Sequence, residues 1–214
     1  MTTPASSSRG VLPITARAYA YDGRMVDVLG EKRAIRDRVR ASRRARTADE
    51  RRAADDGIAA AAIALLEELG ARDVAAYLAL PDEPGTAGIL AWARDHDVRV
   101  LLPIARQDGL LDWAEQGETI VEGAFGLPEP TGEVLPPTVL CDVDVILAPA
   151  SAVDGRGMRM GWGRGYFDKA LGALGRRPPV YALVFDDEIL DAVPAEAHDQ
   201  PVDGILSPSG RRTF

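Results

Sequence analysis

The chain of 214 residues carries one cysteine, Cys141, and two histidines, His96 and His198. A single thiol excludes an internal disulfide and a zinc–cysteine cluster, and it fits a reducing cytoplasm. No apolar run reaches the roughly 18 residues of a spanning helix, so no membrane partner is expected. The opening MTTPASSSRG lacks the basic-then-apolar order of a secretory signal. There is no G-x-S-x-G, and Cys141 has no evident histidine partner, so nucleophilic hydrolysis is unsupported. His96 lies at a polar helix end and reads as solvated, and His198 sits alone in a loop. No Gly-Lys-Ser/Thr follows a glycine run, which excludes a Walker P-loop. Internal repeats and an interdomain linker are missing as well.

Positive charge is the minority sign, 25 Lys and Arg against 33 Asp and Glu, for a net −8. It is also concentrated. Residues 31–52 hold ten Lys/Arg and four acids, a local +6 that leaves −14 for the rest. An acidic protein with one basic helix suits a small polyanion better than nucleic acid. Length and a hydrophobic share of 46% suit one α/β domain over residues 31–214. Residues 1–30 read as an N-terminal extension. Its first 17 residues are Ser, Thr, Pro and Arg without periodicity, the composition of disorder. Asp22-Gly23 then sits between alternating segments, as in a small hairpin or an extension without fixed structure.

Further along, residues 31–45 read as a helix. Thr47, with Glu50 three residues on, is a capping box that opens a second helix, and Gly70 ends it. VAAYLAL (74–80), VRVLLP (98–103), VDVILAPA (143–150), VYALVF (180–185) and GILSP (204–208) read as buried strands. LLDWAE (110–115) reads as an edge or hairpin strand, and GLPEPTGEVLPP (126–137) as a proline-rich loop. Helices are expected at 88–96 and 166–174. Apolar strands alternating with helices imply a mostly parallel sheet covered on both faces. The fold class is therefore α/β, a three-layer α/β/α sandwich.

Three features carry chemistry. The stretch Asp154–Asp168, DGRGMRMGWGRGYFD, lies between a buried strand and a helix, where ligands of open α/β sheets bind. Its glycines let backbone N–H groups approach phosphate oxygens, the helix start adds partial positive charge, and Arg159 and Arg164 add full charge. The alternative is a glycine-rich surface loop. Asp186, 21 residues after Gly165, stands where a dinucleotide fold would place a ribose-binding acid, but the spacing Gly161, Gly163, Gly165 is not G-x-G-x-x-G. Second, Lys32 and Arg36 are i, i+4 neighbours on one helix face and can grip a triphosphate; alone, they are equally a solvated basic face. Third, Asp168 and Asp199 are oxygen ligands suited to Mg²⁺, with helix capping and turn formation as their alternatives.

Taken in order, these segments resemble the 5-formyltetrahydrofolate cyclo-ligases from about residue 31 onward. The matching pieces are KRAIR (32–36), YLALPDEPGT, LPEP (127–130), the apolar strand leading into Arg-x-Gly-x-Gly-x-Gly-Tyr-Phe-Asp, and VPAEAHDQPVD. The resemblance implies an enzyme that closes 5-formyltetrahydrofolate to 5,10-methenyltetrahydrofolate, with ATP as co-substrate and Mg²⁺ as cofactor. It implies ATP contacts at Lys32, Arg33, Ala34, Ile35 and Arg36, and at Arg159, Gly161, Trp162, Gly163, Arg164, Gly165 and Tyr166. Residues 162–166 would be shared with the folate, whose other contacts would be Leu80, Glu83 and Gly85. Lys32 and Arg159 would be catalytic, and Asp168 and Asp199 would hold the metal. The chain would act in the cytoplasm as a monomer or homodimer. It departs from the family pattern at Gly85, where a folate-binding Glu is common, at Phe167 in place of Tyr, and at Glu188 in place of Gln. Gly85 implies weaker folate binding with ATP binding unchanged. It also leaves two rivals standing: the same ATP site serving another substrate, and a non-catalytic folate- or nucleotide-binding protein.

Overall fold

A computed structural model describes residues 20, 21, 24, 25 and 27–214. The expected disorder of residues 1–17 lies outside the described residues. Of the expected hairpin, the two short strands β1 (Ala20–Tyr21) and β2 (Arg24–Met25) pair antiparallel, and the Asp22-Gly23 turn lies outside.

Helix α1 (Val28–Ala45) starts at Asp27, whose carboxylate accepts the Gly30 amide, three residues earlier than the basic run suggests. Helix α2 (Ala48–Leu69) begins and ends as its sequence predicts. Thr47 and Glu50 cap each other's backbone amides, and Gly70 closes it in the left-handed region at φ 59°. Strand β3 (Asp73–Ala75), helix α3 (Ala87–Asp95), strand β4 (Arg99–Ala105) and strand β5 (Leu111–Glu115) follow. The proline-rich segment is not all loop, because β7 (Pro128–Pro130) pairs antiparallel with β6 (Ile120–Glu122). The second half contains β8 (Val145–Pro149), β9 (Ala152–Asp154), β10 (Arg159–Met160), α4 (Tyr166–Gly172), β11 (Val180–Leu183), β12 (Ile189–Leu190), β13 (Gly204–Ser207) and β14 (Gly210–Thr213).

Seven strands form the main sheet in the order β14-β13-β11-β8-β3-β4-β5. The inner five are parallel, and the antiparallel edges β5 and β14 close it. Alternate residues face opposite layers, as strand geometry demands. Val145 and Leu147 pack with α2 and α3, while Ile146 and Ala148 pack with α4 and the 3₁₀ turn at Pro137–Asp142. This is the expected three-layer α/β/α arrangement. Helix α1 lies outside both layers. Its Ile35 packs on a satellite core of Ala152, Met160 and Val193, beside the small sheet β10-β9-β12. No helix among the described residues is long and apolar enough to cross a membrane.

The chain runs from β3 outward to β4 and β5, then returns to β8 on the other side of β3 and continues outward to β11 and β13. Strand order therefore reverses between β3 and β8, and a crevice opens beyond their carboxyl ends. The predicted strand 74–80 is cut short there. From Tyr77 the backbone leaves the sheet, with the Thr86 hydroxyl donating to the Tyr77 carbonyl and the Tyr77 hydroxyl donating to Pro84 O. Residues 78–83 are thus free to line the crevice.

Candidate active site

Two adjoining regions occupy the crevice. The first is a cluster of charges. Lys32 is almost fully buried, and its Nζ donates to Asp199 Oδ2 at 2.6 Å and to Glu196 Oε2 at 3.0 Å. One turn on, Arg36 Nε donates to the Gly161 carbonyl at 2.9 Å. Its guanidinium lies beneath the glycine loop, where a Cβ on Gly163 would meet Arg36 Cζ at 3.4 Å. Gly163 and Gly165 hold φ 98° and 68°, left-handed backbone that a side chain would strain. Arg159, 2% exposed, donates to Asp168 Oδ1 at 2.5 Å and to the Pro149 carbonyl at 3.1 Å. The Gln200 amide donates to the same Asp168 oxygen at 3.3 Å, which joins the β12–β13 loop to the start of α4.

Three cations (Lys32, Arg36, Arg159) and three carboxylates (Asp168, Glu196, Asp199) therefore meet from three distant parts of the chain. Polar contacts fix the β9–β10 region that leads into the glycine loop. In the β9–β10 turn, Asp154, fully buried, accepts the amides of Arg156, Met158 and Val193. In the return to β10, the Ser151 hydroxyl donates to the Met160 carbonyl.

The second region is a cavity of about 620 Å³. Its floor is buried and largely apolar, with Tyr77, Ala105 and Leu111 at the strand ends and Leu78, Leu127 and Phe167 around them. Two acids enter this apolar space. Glu129, between the two prolines of β7, accepts the Ala105 amide at 2.9 Å. Glu83 accepts the Leu80 amide at 3.0 Å, and burial pushes its carboxyl above the usual glutamate range. Trp162 walls the cavity, and the guanidinium groups of Arg40 and Arg43 lie over its ring, with Cζ atoms 5.2 and 4.8 Å from the centroid. Arg43 is held by a buried two-pronged pair with Glu188, at 2.6 and 2.8 Å, and donates to the Ala150 carbonyl at 2.9 Å.

Most residues expected at the site converge on it. Arg159, Gly161, Trp162, Arg164, Gly165, Tyr166 and Asp168 line the cavity together with Leu80 and Glu83. Lys32, Arg36, Gly163 and Asp199 lie in the adjoining charge cluster. Arg33 and Ala34 are exposed, and Ile35 serves the satellite core rather than the crevice. Gly85 does not line the cavity. Its amide donates to Asp55 Oδ1 of α2 at 2.8 Å, and a Cβ there would meet the Asp55 carboxyl carbon at 2.5 Å. Residue 85 thus faces helix α2, and the carboxylates of this loop that line the cavity are Glu83, half-buried, and the exposed Asp82. Asp186, the ribose-type acid, is occupied elsewhere: it accepts the hydroxyls of Ser207 and Ser209 at the β13–β14 turn. His96 stacks on Trp92 at the surface, and the exposed His198 has Nε2 3.7 Å from Asp199 Oδ1.

Sequence reasoning missed Arg43, Tyr77, Leu78 and Glu129. The LPEP segment was a signal for Glu129, since a charged residue between two prolines has a fixed backbone. Arg43 had a signal in the family departure at Glu188, because a Gln-to-Glu change at a buried position calls for a cation. The two lie 145 residues apart.

The donor set fits a hard cation and a phosphate chain. Glu196, His198 and Asp199 place ligand atoms within 4.8 Å of one another; Asp168 stands outside that group but is tied to it through Gln200. Carboxylates of this kind hold Mg²⁺ jointly with phosphate oxygens and water. Arg159 Nε is a buried donor without a partner among the described residues, so the arginine keeps an N–H for a further acceptor.

The sequence model of the 5-formyltetrahydrofolate cyclo-ligase family matches residues 28–208. The chain belongs to that family. It is 40% identical to the 5-formyltetrahydrofolate cyclo-ligase of Mycolicibacterium smegmatis (strain ATCC 700084 / mc(2)155) over 147 residues, which cover 66% of this chain and 76% of the relative. The Haemophilus influenzae enzyme of the same name is 26% identical over 182 residues, 82% of this chain and 97% of the relative. Among solved structures, Aquifex aeolicus 5,10-methenyltetrahydrofolate synthetase superposes with a TM-score of 0.72 at 25% identity, covering 85% of this chain and 92% of that one. The Mycoplasma pneumoniae synthetase gives 0.69 at 20% identity, over 83% and 99% of the two chains, and shares the fold. The chain is thus an enzyme of the cyclo-ligase family, and the crevice between β3 and β8 is its candidate active site.

Proposed function

We propose that the chain catalyses the ATP- and Mg²⁺-dependent closure of 5-formyltetrahydrofolate to 5,10-methenyltetrahydrofolate, with release of ADP and phosphate. The observation that carries this reading is the meeting of the Lys32–Arg36–Arg159 cation group with a deep apolar cavity at one crevice. One end suits a triphosphate, the other a flat heterocycle.

A formamide oxygen is a poor leaving group. Transfer of the terminal phosphoryl group of ATP to that oxygen converts it into phosphate, a good one. N10 of the folate then attacks the activated carbon, the C–O bond breaks, phosphate departs and the N10 proton is lost. Phosphoryl transfer of this kind depends on positioning and charge neutralisation rather than on a protein nucleophile. Lys32, Arg36 and Arg159 hold the phosphate oxygens, with the glycine loop amides beside them. Asp168 and Asp199 are the ligands for Mg²⁺, which when bound neutralises phosphate charge. The same carboxylates pair with Lys32 and Arg159, which keeps cations and metal ligands side by side in one cluster. Glu83 and Glu129, with the cavity walls, orient the folate ring. The buried floor keeps water from the activated carbon.

The test is to mix the pure protein with 5-formyltetrahydrofolate and Mg-ATP and to follow the methenyl product by its absorbance. Product should form only when ATP and a divalent metal are both present. Asp168→Asn and Asp199→Asn should each shift the magnesium titration to higher concentration. ATP hydrolysis without methenyl product would assign the site to another substrate, and binding without turnover would make the chain a binding protein.

A further inference from the structure

Helix α1 carries cations at positions 32, 36, 40 and 44, one per turn along one face. The first two are committed to the charge cluster, and Arg43 beside them is committed to Glu188. Arg40 and Arg44 are not committed in this way. Both line the cavity, and both are exposed at its rim. Arg40 makes a 3.0 Å pair with exposed Asp37 and stacks on Trp162. Arg44 is 3.9 Å from Asp82, which it shares with Arg51 at 4.0 Å. Arg164, also exposed and lining the same cavity, lies over the Phe125 ring at 4.5 Å from its centroid.

The cavity thus runs from a buried apolar floor to a rim with three guanidinium groups. A ligand that is flat at one end and carries carboxylates at the other matches this gradient. A reduced folate has that build, with its pterin at one end and its glutamate at the other. The ion pairs now made at the rim are long or solvent-exposed, which makes them weak and easily displaced. A guanidinium presents paired N–H donors that match a carboxylate. Resting on the function proposed above, we propose that Arg40, Arg44 and Arg164 form a carboxylate subsite that takes the glutamate end of the folate. Asp82 competes for it, holding Arg44 until the ligand arrives.

The experiment compares KM for 5-formyltetrahydrofolate with KM for the same compound cut back to its p-aminobenzoate, lacking glutamate. The proteins are wild type, the double variant Arg40→Gln/Arg44→Gln, and Asp82→Asn. Wild type should favour the full compound. Each lost arginine should raise KM for the full compound about 2–5-fold, the range of an exposed ion pair, and leave the truncated compound where it was. Asp82→Asn should lower KM for the full compound alone. A KM ratio between the two compounds that is the same in wild type and double variant overturns the subsite. So does a parallel rise for both compounds. Should the double variant fail to fold, Asp82→Asn decides: an unchanged ratio overturns the proposal. Wild type inactive on both compounds removes the proposed function and the subsite with it. Wild type active on both with equal KM removes the subsite alone.

Discussion

The phosphate end of the crevice and its cavity end take their shape from different forces. At the phosphate end, Lys32, Arg36, Arg159, Asp168, Glu196 and Asp199 hold one another by charge-assisted hydrogen bonds across loops. At the cavity end, Tyr77, Ala105 and Leu111 are simply the residues that stand where strands of a packed sheet stop. The buried pair Arg43–Glu188 lies between the two and touches both, since Arg43 backs Trp162 in the cavity wall and binds Ala150 at the root of the glycine segment. Charge pairing fixes the cation cluster, and packing fixes how much apolar space remains beside it. The two ends should therefore fail separately when disturbed.

The largest effect is expected where the two regions join. Arg43→Ala leaves Glu188 buried and unpaired, which should cost about 3–5 kcal/mol of stability in urea unfolding. The paired change Arg43→Met/Glu188→Gln should recover most of it. If Arg43→Ala unfolds at the wild-type midpoint, the pair does not hold the ends together. A smaller effect belongs to the phosphate end alone. Arg36→Ala should lower kcat/KM for ATP roughly 10–150-fold, the worth of a charge-assisted contact, while stability falls by about 1 kcal/mol. Equal losses in folate and nucleotide binding would erase the distinction between the ends.

The smallest effect belongs to the cavity alone and shows as a pH dependence. Burial raises the Glu83 carboxyl above its ordinary range, so the folded chain binds that proton more tightly than the unfolded chain. Stability from this group is full below the ordinary glutamate range and is lost as pH rises through the raised value. Glu83→Gln removes that slope. Unfolding midpoints of wild type and Glu83→Gln should therefore diverge with rising pH in the variant's favour, while its KM for folate rises. Parallel midpoints across the acid range would show that Glu83 is not desolvated.

Local devices were legible in the sequence, and distant ones were not. The Thr47/Glu50 box and the Gly70 stop act over three or four residues, and the structure follows them. Lys32 and Arg36 were legible for the same reason, because helical spacing alone puts them on one face. The strand pattern gave the three layers, since buried parallel strands are continuous apolar runs. In the loop after β3, Leu80 and Glu83 line the cavity as expected and Gly85 does not. Whether residue 83 or 85 enters the cavity depends on the Thr86 and Tyr77 hydrogen bonds and on Asp55 in a different helix, none of which spacing encodes. The β6–β7 pairing was hidden by its prolines, which belong at sheet edges and read as loop.

The six charged groups at the phosphate end sum formally to zero, and most are shielded from water. Such a cluster projects little field beyond the roughly 8 Å screening distance of physiological salt. The cluster itself therefore does little to steer an anion from a distance; the long-range field at that end comes from the exposed cations of the same helix, Arg33, Arg38 and Arg40, and is screened by salt. An internally neutral cluster is thus set on the basic helix of a protein of net charge −8, so the field that a polyanion meets first is that of the helix surface and not that of the cluster.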